Sequence, residues 1–402
     1  MEQLQVLLYK MMMVVTKLIV KLLPQNKPTT FAGSGSSVQL VEAMAHMGVK
    51  KALIVTDKVL HELGVLDGIK KACSEQGIEI VIYDGVLPDP TFEVVNEGLA
   101  ALKSNKCDSV LAVGGGSSID AAKTIALSAG CGKAPARLEG MMKGTKPALP
   151  LYAVPTTAGT GSEVTMGAVV SHPDRKSVII DPKVIPLMVA LDADLMLGMP
   201  PAITAATGMD ALTHAVEAYI SKFASPTSDA YALAAVKMIY ANLIKAYENG
   251  KDKEARNAMA LASFYAGQAI SMAFIGYVHA IAHQFGGRYH TPHGLANAIV
   301  LPHVLEYNKP ASTQRLAQLA VAAGLGQASE PDTVLADKFI ASIVEMREHM
   351  QIPATLDKLK AEDIPAISAD ARKEAGTTYP VPRYMNDEDC QGILRKLLST
   401  AA

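Results

Sequence analysis

The residues best suited to chemistry gather in two places. Four of the ten histidines, His279, His283, His290 and His293, fall between residues 279 and 293. His279 and His283 stand four apart in His279-Ala-Ile-Ala-His283, and Asp210 and His214 repeat that spacing in Gly208-Met-Asp210-Ala-Leu-Thr-His214. On a helix, residues four apart share a face. The neighbours are apolar, and a buried carboxylate or imidazole is costly unless it is paired or ligated. Asp210, His214, His279, His283 and His293 together therefore point to a divalent cation. One carboxylate with several imidazoles suits Fe2+ or Zn2+ and is too rich in nitrogen for Mg2+ or Ca2+. His290 and His303 lack such spacing and read as structural or exposed.

The second group suits a nucleotide. A β-branched run at 109–113 leads into Gly114-Gly115-Gly116-Ser117-Ser118-Ile119-Asp120, and a helical pattern follows through Ser128. Glycines there let the backbone approach a ligand, and the N–H groups opening the helix attract an anion. The pattern is not G-x-G-x-x-G, and a glycine turn of this kind also serves tight packing. A second loop, Pro155-Thr156-Thr157-Ala-Gly-Thr160-Gly-Ser-Glu163, follows another strand and offers hydroxyls at the same carboxyl edge of the sheet, where α/β proteins bind ligands. Two such loops in one sheet favour nucleotide binding over packing. Asp57 ends the run 52–56, where a carboxylate can accept hydrogen bonds from both ribose hydroxyls of an adenosine. Capping the next helix is its alternative role.

These groups need elements to hold them. Runs at 52–56, 78–83, 109–113 and 149–154 read as strands, with segments 59–76 and 91–103 long enough for crossover helices. That rhythm implies a mostly parallel sheet covered on both faces. After Pro200-Pro201 the β-branched runs stop, and stretches rich in Ala, Leu, Met and Lys, such as 228–249 and 253–272, read as helices. The expected order is an N-terminal extension at 1–30, an α/β dinucleotide-binding domain at 31–198 and an all-helical metal and substrate domain at 199–402. Within the extension, residues 4–23 are strongly apolar but carry Lys10, Lys17 and Lys21 along one side. The stretch fails both as a spanning helix and as a signal peptide. It reads as an amphipathic helix that packs on the protein or on a second subunit, giving a homodimer or higher homo-oligomer. A helix on a membrane surface is the alternative.

Composition narrows the partners. The chain has 402 residues, half of them apolar, and a formal net charge of -2 with no basic stripe, which excludes a nucleic-acid partner. Cys73, Cys107, Cys131 and Cys390 lie far apart with no C-x-x-C pair. That favours reduced thiols in the cytoplasm over disulfides or a cysteine metal site.

From about Phe31 to its C-terminal helices, the chain resembles the iron-containing (group III) alcohol dehydrogenase family. The likeness rests on Gly114–Asp120, Pro155–Glu163, Gly208-Met-Asp-Ala-Leu-Thr-His-Ala215 and the segment from His279 to Pro302, taken in order and separation. It implies a dehydroquinate synthase-like fold: a parallel-sheet dinucleotide domain, a helical metal-binding domain and an active site in the cleft between them. Family metal ligands map to Asp210, His214, His279 and His293, with Fe2+ or Zn2+ bound. His283 matches a histidine beside the metal that can relay protons. NAD contacts map to Asp57, Asp89, Gly115, Gly116, Ser117, Asp120, Thr156, Thr157, Thr160 and Lys176. Relatives often carry Asn where this chain has Asp89, and either residue accepts a hydrogen bond.

These parts imply metal-assisted, reversible hydride transfer between NAD and a small primary alcohol or diol, with the aldehyde formed or consumed. A dehydroquinate-synthase-like lyase is the rival, but its phosphorylated substrate would need several cations, and Arg288 is the only one between His279 and His293. A scaffold without chemistry has no reason to keep four buried ionisable positions.

Overall fold

The computed structural model describes residues 2–22, 26–172 and 175–399. The chain forms two compact units, one of residues Pro24–Met199 and one that joins Met1–Leu23 to Pro200–Ala402. The apolar N-terminal segment, α1 (Glu2–Leu22), thus belongs with the C-terminal half.

The first unit is a doubly covered sheet. Six strands, β1 (Thr29–Ala32), β2 (Lys51–Val55), β3 (Glu79–Tyr83), β4 (Ser109–Gly114), β6 (Leu151–Pro155) and β9 (Met188–Leu191), run parallel in the order β1-β9-β6-β4-β2-β3. A smaller sheet joins β5 (Gly140–Met141), β8 (Lys176–Ile180) and β7 (Gly167–Ser171) in that order. The central strands β4 and β6 are buried at every residue, which explains why they read as continuous apolar runs and not as alternating ones. Helices α2 (Ser36–His46) and α4 (Asp67–Glu75) supply Leu40, Met44, Ile69 and Cys73 to one core, packed on Ile54, Leu111, Val113 and Val154 of the sheet. The segment 59–76, expected as one helix, breaks into α3 (Lys58–Glu62) and α4, because Gly64 turns the chain at φ 72°. Helices α5 (Phe92–Ser104) and α6 (Gly116–Cys131) complete the unit.

The second unit is helical throughout its larger part: α7 (Pro201–Ile220), α8 (Pro226–Glu248), α9 (Lys253–Ala273), α10 (Tyr277–Tyr289), α11 (His293–Ala322), α12 (Asp332–His349), α13 (Ile364–Thr378) and α14 (Asp387–Lys396). Helix α7 lies at its centre, buried from Gly208 to Ile220. Glycine permits that crowding. A Cβ on Gly208 would collide with Leu243 of α8, and one on Gly294 with the Ala206 carbonyl. Between α9 and α10 the chain bends by 105°, with Phe274 held at φ 62°, ψ 179°, a backbone region of high strain for a side chain of this size. Helix α1 lies on α13, its Tyr9 ring filling the space over Gly376. Lys17 Nζ donates to the Lys222 carbonyl at 3.0 Å.

Candidate metal centre and dinucleotide cradle

Three helices bring the metal candidates together. Asp210 and His214 sit one turn apart on α7, His279 lies in the first turn of α10, and His293 opens α11 behind Pro292. One ligand atom from each lies within 4.8 Å of all the others. Asp210, His214 and His279 are almost fully buried, while His293 is partly open. Asp210 Oδ1 is 3.9 Å from His279 Nε2 and 3.6 Å from His293 Nε2. The His214 and His279 rings stack with centroids 4.6 Å apart.

The donor set fits a cation, and His279 gives the decisive detail. Its Nδ1 lies 2.6 Å from Glu217 Oε2; with Glu217 ionised, that nitrogen donates and Nε2 carries the lone pair. Nε2 is buried and has no hydrogen-bond partner among the described residues, an arrangement that costs free energy unless something fills it. Burial, reinforced by the neighbouring imidazoles of His214, His293 and His283, holds His279 well below the ordinary imidazole range. The ring is neutral and able to donate its lone pair.

Glu217 escaped the sequence reading, although it continues the face of Asp210 and His214 at positions i, i+4 and i+7. It accepts from the backbone N–H groups of Gly276 and Val278, each at 2.8 Å, as well as from His279. Burial pushes its pKa up to about 8, against the lowering effect of those backbone donors. Asn297, four residues after His293, was also missed. Its Nδ2 donates to Asp210 Oδ1 at 2.7 Å and lies 3.2 Å from His293 Nε2.

His283 lies beside the cluster but outside its four ligand positions. Its ring stacks on His293 at 5.4 Å, and its Nδ1 lies 2.6 Å from Glu374 Oε1 on α13. Tyr379 Oη donates to the same oxygen at 2.7 Å, and Gln284 Nε2 to the other at 3.1 Å. No local sequence signal marks Glu374, which stands 91 residues away. Of the histidines read as structural, His290 caps α10 in the left-handed region at φ 53°, and burial lowers the His303 pKa.

The glycine turn and the second loop meet in the other unit. Gly114 is held at φ 156°, and a Cβ there would strike Ser118 at 2.5 Å. Gly115 is the N-cap of α6 and offers no side chain to it, so the opening N–H groups of the helix keep their donors for another acceptor. A Cβ on Gly116 would approach Thr160 Cγ2 to 2.8 Å, and one on Gly115 would touch Thr157 at 3.4 Å. Thr156 N donates to Gly114 O at 3.0 Å. Gly115, Gly116, Thr157 and Thr160 thus lie together, with Thr156 buried beside Gly114 and Ser117 in the first turn of the helix.

Asp120, expected as a cofactor contact, is held by protein partners. Its Oδ1 accepts from Ser162 Oγ at 2.5 Å and its Oδ2 from Val169 N at 2.9 Å. Lying in the second turn of α6, the carboxylate points beneath the loops and ties them to β7. The fully buried Lys123 completes that frame, donating to Ser162 Oγ, Thr165 O, Thr165 Oγ1 and Gly167 O at 2.7–3.1 Å. Asp57 caps α3, its Oδ1 accepting from Leu60 N at 3.0 Å. Asp89, in the left-handed region at φ 53°, pairs with Lys176 Nζ at 2.6 Å.

Comparison with known proteins agrees with this geometry. Residues 28–193 match the profile described as iron-containing alcohol dehydrogenase, and residues 204–398 match the Fe-containing alcohol dehydrogenase family, C-terminal. Alcohol dehydrogenase 4 of Saccharomyces cerevisiae is 41% identical over 92% of this chain and 96% of its own length. An NAD-dependent methanol dehydrogenase of Bacillus methanolicus is 38% identical over 92% of this chain and 98% of its own. The crystal structure of a 1,3-propanediol oxidoreductase superposes with a TM-score of 0.90 at 40% identity, covering 93% of this chain and 99% of that one. Parallel-sheet unit, helical unit and sequence all agree: this chain is an oxidoreductase of the iron-containing alcohol dehydrogenase family.

Proposed function

We propose that this enzyme catalyses the reversible NAD-linked oxidation of a small primary alcohol or diol, assisted by Fe2+ held by Asp210, His214, His279 and His293. The observation that carries this reading is the buried, unpartnered Nε2 of His279, turned by Glu217 into a cluster of three further ligand atoms. The donor set also takes Zn2+. A divalent ion there supplies Lewis acidity to a substrate oxygen.

The chain's own residues do the remaining work. Glu217 fixes the tautomer of His279, and Asn297 steadies Asp210 and His293. Glu374 holds Nδ1 of His283, which leaves its Nε2 to accept the proton that an alcohol loses and to pass it on. The first turn of α6, with the hydroxyls of Thr156, Thr157 and Thr160, binds the pyrophosphate of NAD. The Asp57 carboxylate accepts from the adenosine ribose. Asp120 and Lys123 keep the two loops in register. The four free thiols support a reducing, cytoplasmic location.

The lyase alternative finds no support at this site, because Arg288 is engaged by Asp370 at 2.5 Å and by Gln284 at 2.8 Å. The test is anaerobic metal analysis of the purified protein, together with NADH formation from a panel of primary alcohols and diols. His279→Ala should lose most of its metal and nearly all turnover while NAD binding stays measurable. Full turnover of that variant after dialysis against a chelator would refute the assignment.

A further inference from the structure

Among the described residues, sixteen large apolar side chains are exposed, and six of them fall in one short stretch of α1: Leu7, Leu8, Met11, Met12, Val14 and Val15. Their exposure runs from 39% at Met12 to 63% at Val14. The opposite side of the helix is fastened down. Met13 is buried, Tyr9 covers Gly376, and Lys17 is anchored to the Lys222 carbonyl and lies 5.5 Å from the Phe223 ring centroid. Helix α1 is therefore a strap with one face glued to the protein and an apolar face turned outward. Monomeric proteins seldom leave so concentrated a patch uncovered. The strap also precedes the family match, which begins at residue 28, so the patch is an addition to the catalytic framework.

Charge identifies what covers it. Residues 3–41 contain no Asp or Glu, and their charged groups are Lys10, Lys17, Lys21 and Lys27. Lys10 is exposed on the strap. Lys222 is also exposed, and its Nζ lies 5.4 Å from the centroid of the Tyr384 ring, itself 6.0 Å from the ring of Tyr9 on the strap, so it adds a second cation beside α1. An apolar face bordered by cations matches the acyl chains and phosphates of an anionic bilayer surface. A second copy of the strap matches less well, since pairing two of them would set lysines against lysines with no acid beyond Glu2 to answer them. Among the described residues no single helix is long and apolar enough to cross a membrane.

We propose that α1 docks this enzyme onto anionic phospholipid membranes, its outer face lying among the upper acyl chains and Lys10 and Lys222 meeting headgroup phosphates. The full-length protein should co-sediment with phosphatidylcholine vesicles containing one-third phosphatidylglycerol. Binding should be about tenfold stronger than to pure phosphatidylcholine and should weaken as salt is raised. Met11→Glu/Val15→Glu, both at exposed positions, should abolish binding while turnover and melting temperature stay at parent values. If that double variant folds poorly, Lys10→Glu alone should still reduce binding to the anionic vesicles several-fold. The idea fails if the parent stays in the supernatant with both lipids, or if the glutamate variants bind as well as the parent. Loss of self-association in the double variant, measured by light scattering, with no vesicle binding by the parent would give the patch to a second copy and overturn the proposal.

Discussion

Glu217→Gln isolates the contribution of a residue that would not touch the metal. The substitution keeps shape and volume but turns one acceptor oxygen into an NH2 group. In the parent, Oε1 accepts from Val278 N, and Oε2 accepts from both Gly276 N and His279 Nδ1. Glutamine can serve only one of these sets. If its oxygen faces Val278, its NH2 faces Gly276 N–H and His279 Nδ1. The imidazole must then move its proton to Nε2, and the lone pair aimed at the cluster is lost. If the amide flips, His279 keeps its tautomer, but the Val278 N–H is buried against another donor. A buried donor left without an acceptor costs roughly 1–3 kcal/mol. Loss of the carboxylate that orients a ligating histidine typically weakens metal binding 10- to 100-fold, equivalent to about 1.4–2.8 kcal/mol. The variant should therefore bind metal 10- to 100-fold more weakly and melt earlier, with NAD affinity unchanged. Metal content after dialysis against chelators of graded strength, read beside a thermal melt and an NAD titration, measures all three. Parent-like metal affinity, within twofold, would show that Glu217 does not set the tautomer of His279.

Three further substitutions probe the other roles. His283→Ala should retain metal and lose about two orders of magnitude in turnover, the lower range for a missing acid–base group; metal analysis that shows an empty protein would instead make His283 a ligand. Asp57→Gly should weaken NAD and improve NADP, because the carboxylate repels a 2′-phosphate; kcat/KM for both cofactors measures this, and a parent that already prefers NADP would leave Asp57 as a helix cap alone. Gly116→Ala would press a methyl group against the β-branched Thr160, so KM for NAD should rise about tenfold, or about 1.4 kcal/mol, at the lower end of the roughly 1–3 kcal/mol that overpacking costs. Metal content should not change, and an unaltered KM would show that the two loops do not together form the cofactor surface.

What could be read from sequence followed the helical repeat. Asp210 with His214, and His279 with His283, were visible because four residues return a side chain to the same face. The same rule could not separate His279 from His283, which it places side by side. Their different roles come from Glu217 on α7 and Glu374 on α13, acids 62 and 91 residues away from the histidines they hold. Glu217 could have been found, since an acid seven residues after Asp210 in an apolar helix extends the same stripe. The partners of Asp120 were not legible, because a motif gives position along the chain and not direction: one turn into α6, its carboxylate accepts from Ser162 and Val169. The four-residue strands β1 and β9 were not visible either, being too short to show a period.

Glu217 also links the fold to the site. The chain reverses sharply after α9, with Phe274 in a strained conformation, and the N–H groups of Gly276 and Val278 then converge on the Glu217 carboxylate. A Cβ on Gly276 would come within 2.9 Å of that carboxylate, so the close approach requires glycine. The turn that starts α10 is thus held by the same carboxylate whose Oε2 fixes His279, three residues further on. Stability and metal affinity should accordingly fall together when Glu217 is altered. Removing the His279 side chain separates them, because the backbone donors keep their acceptor while one ligand disappears. A His279→Ala protein that lost metal yet melted as early as Glu217→Gln when both are stripped of metal would break this link, and would place the strain of the turn on the imidazole and not on the acid.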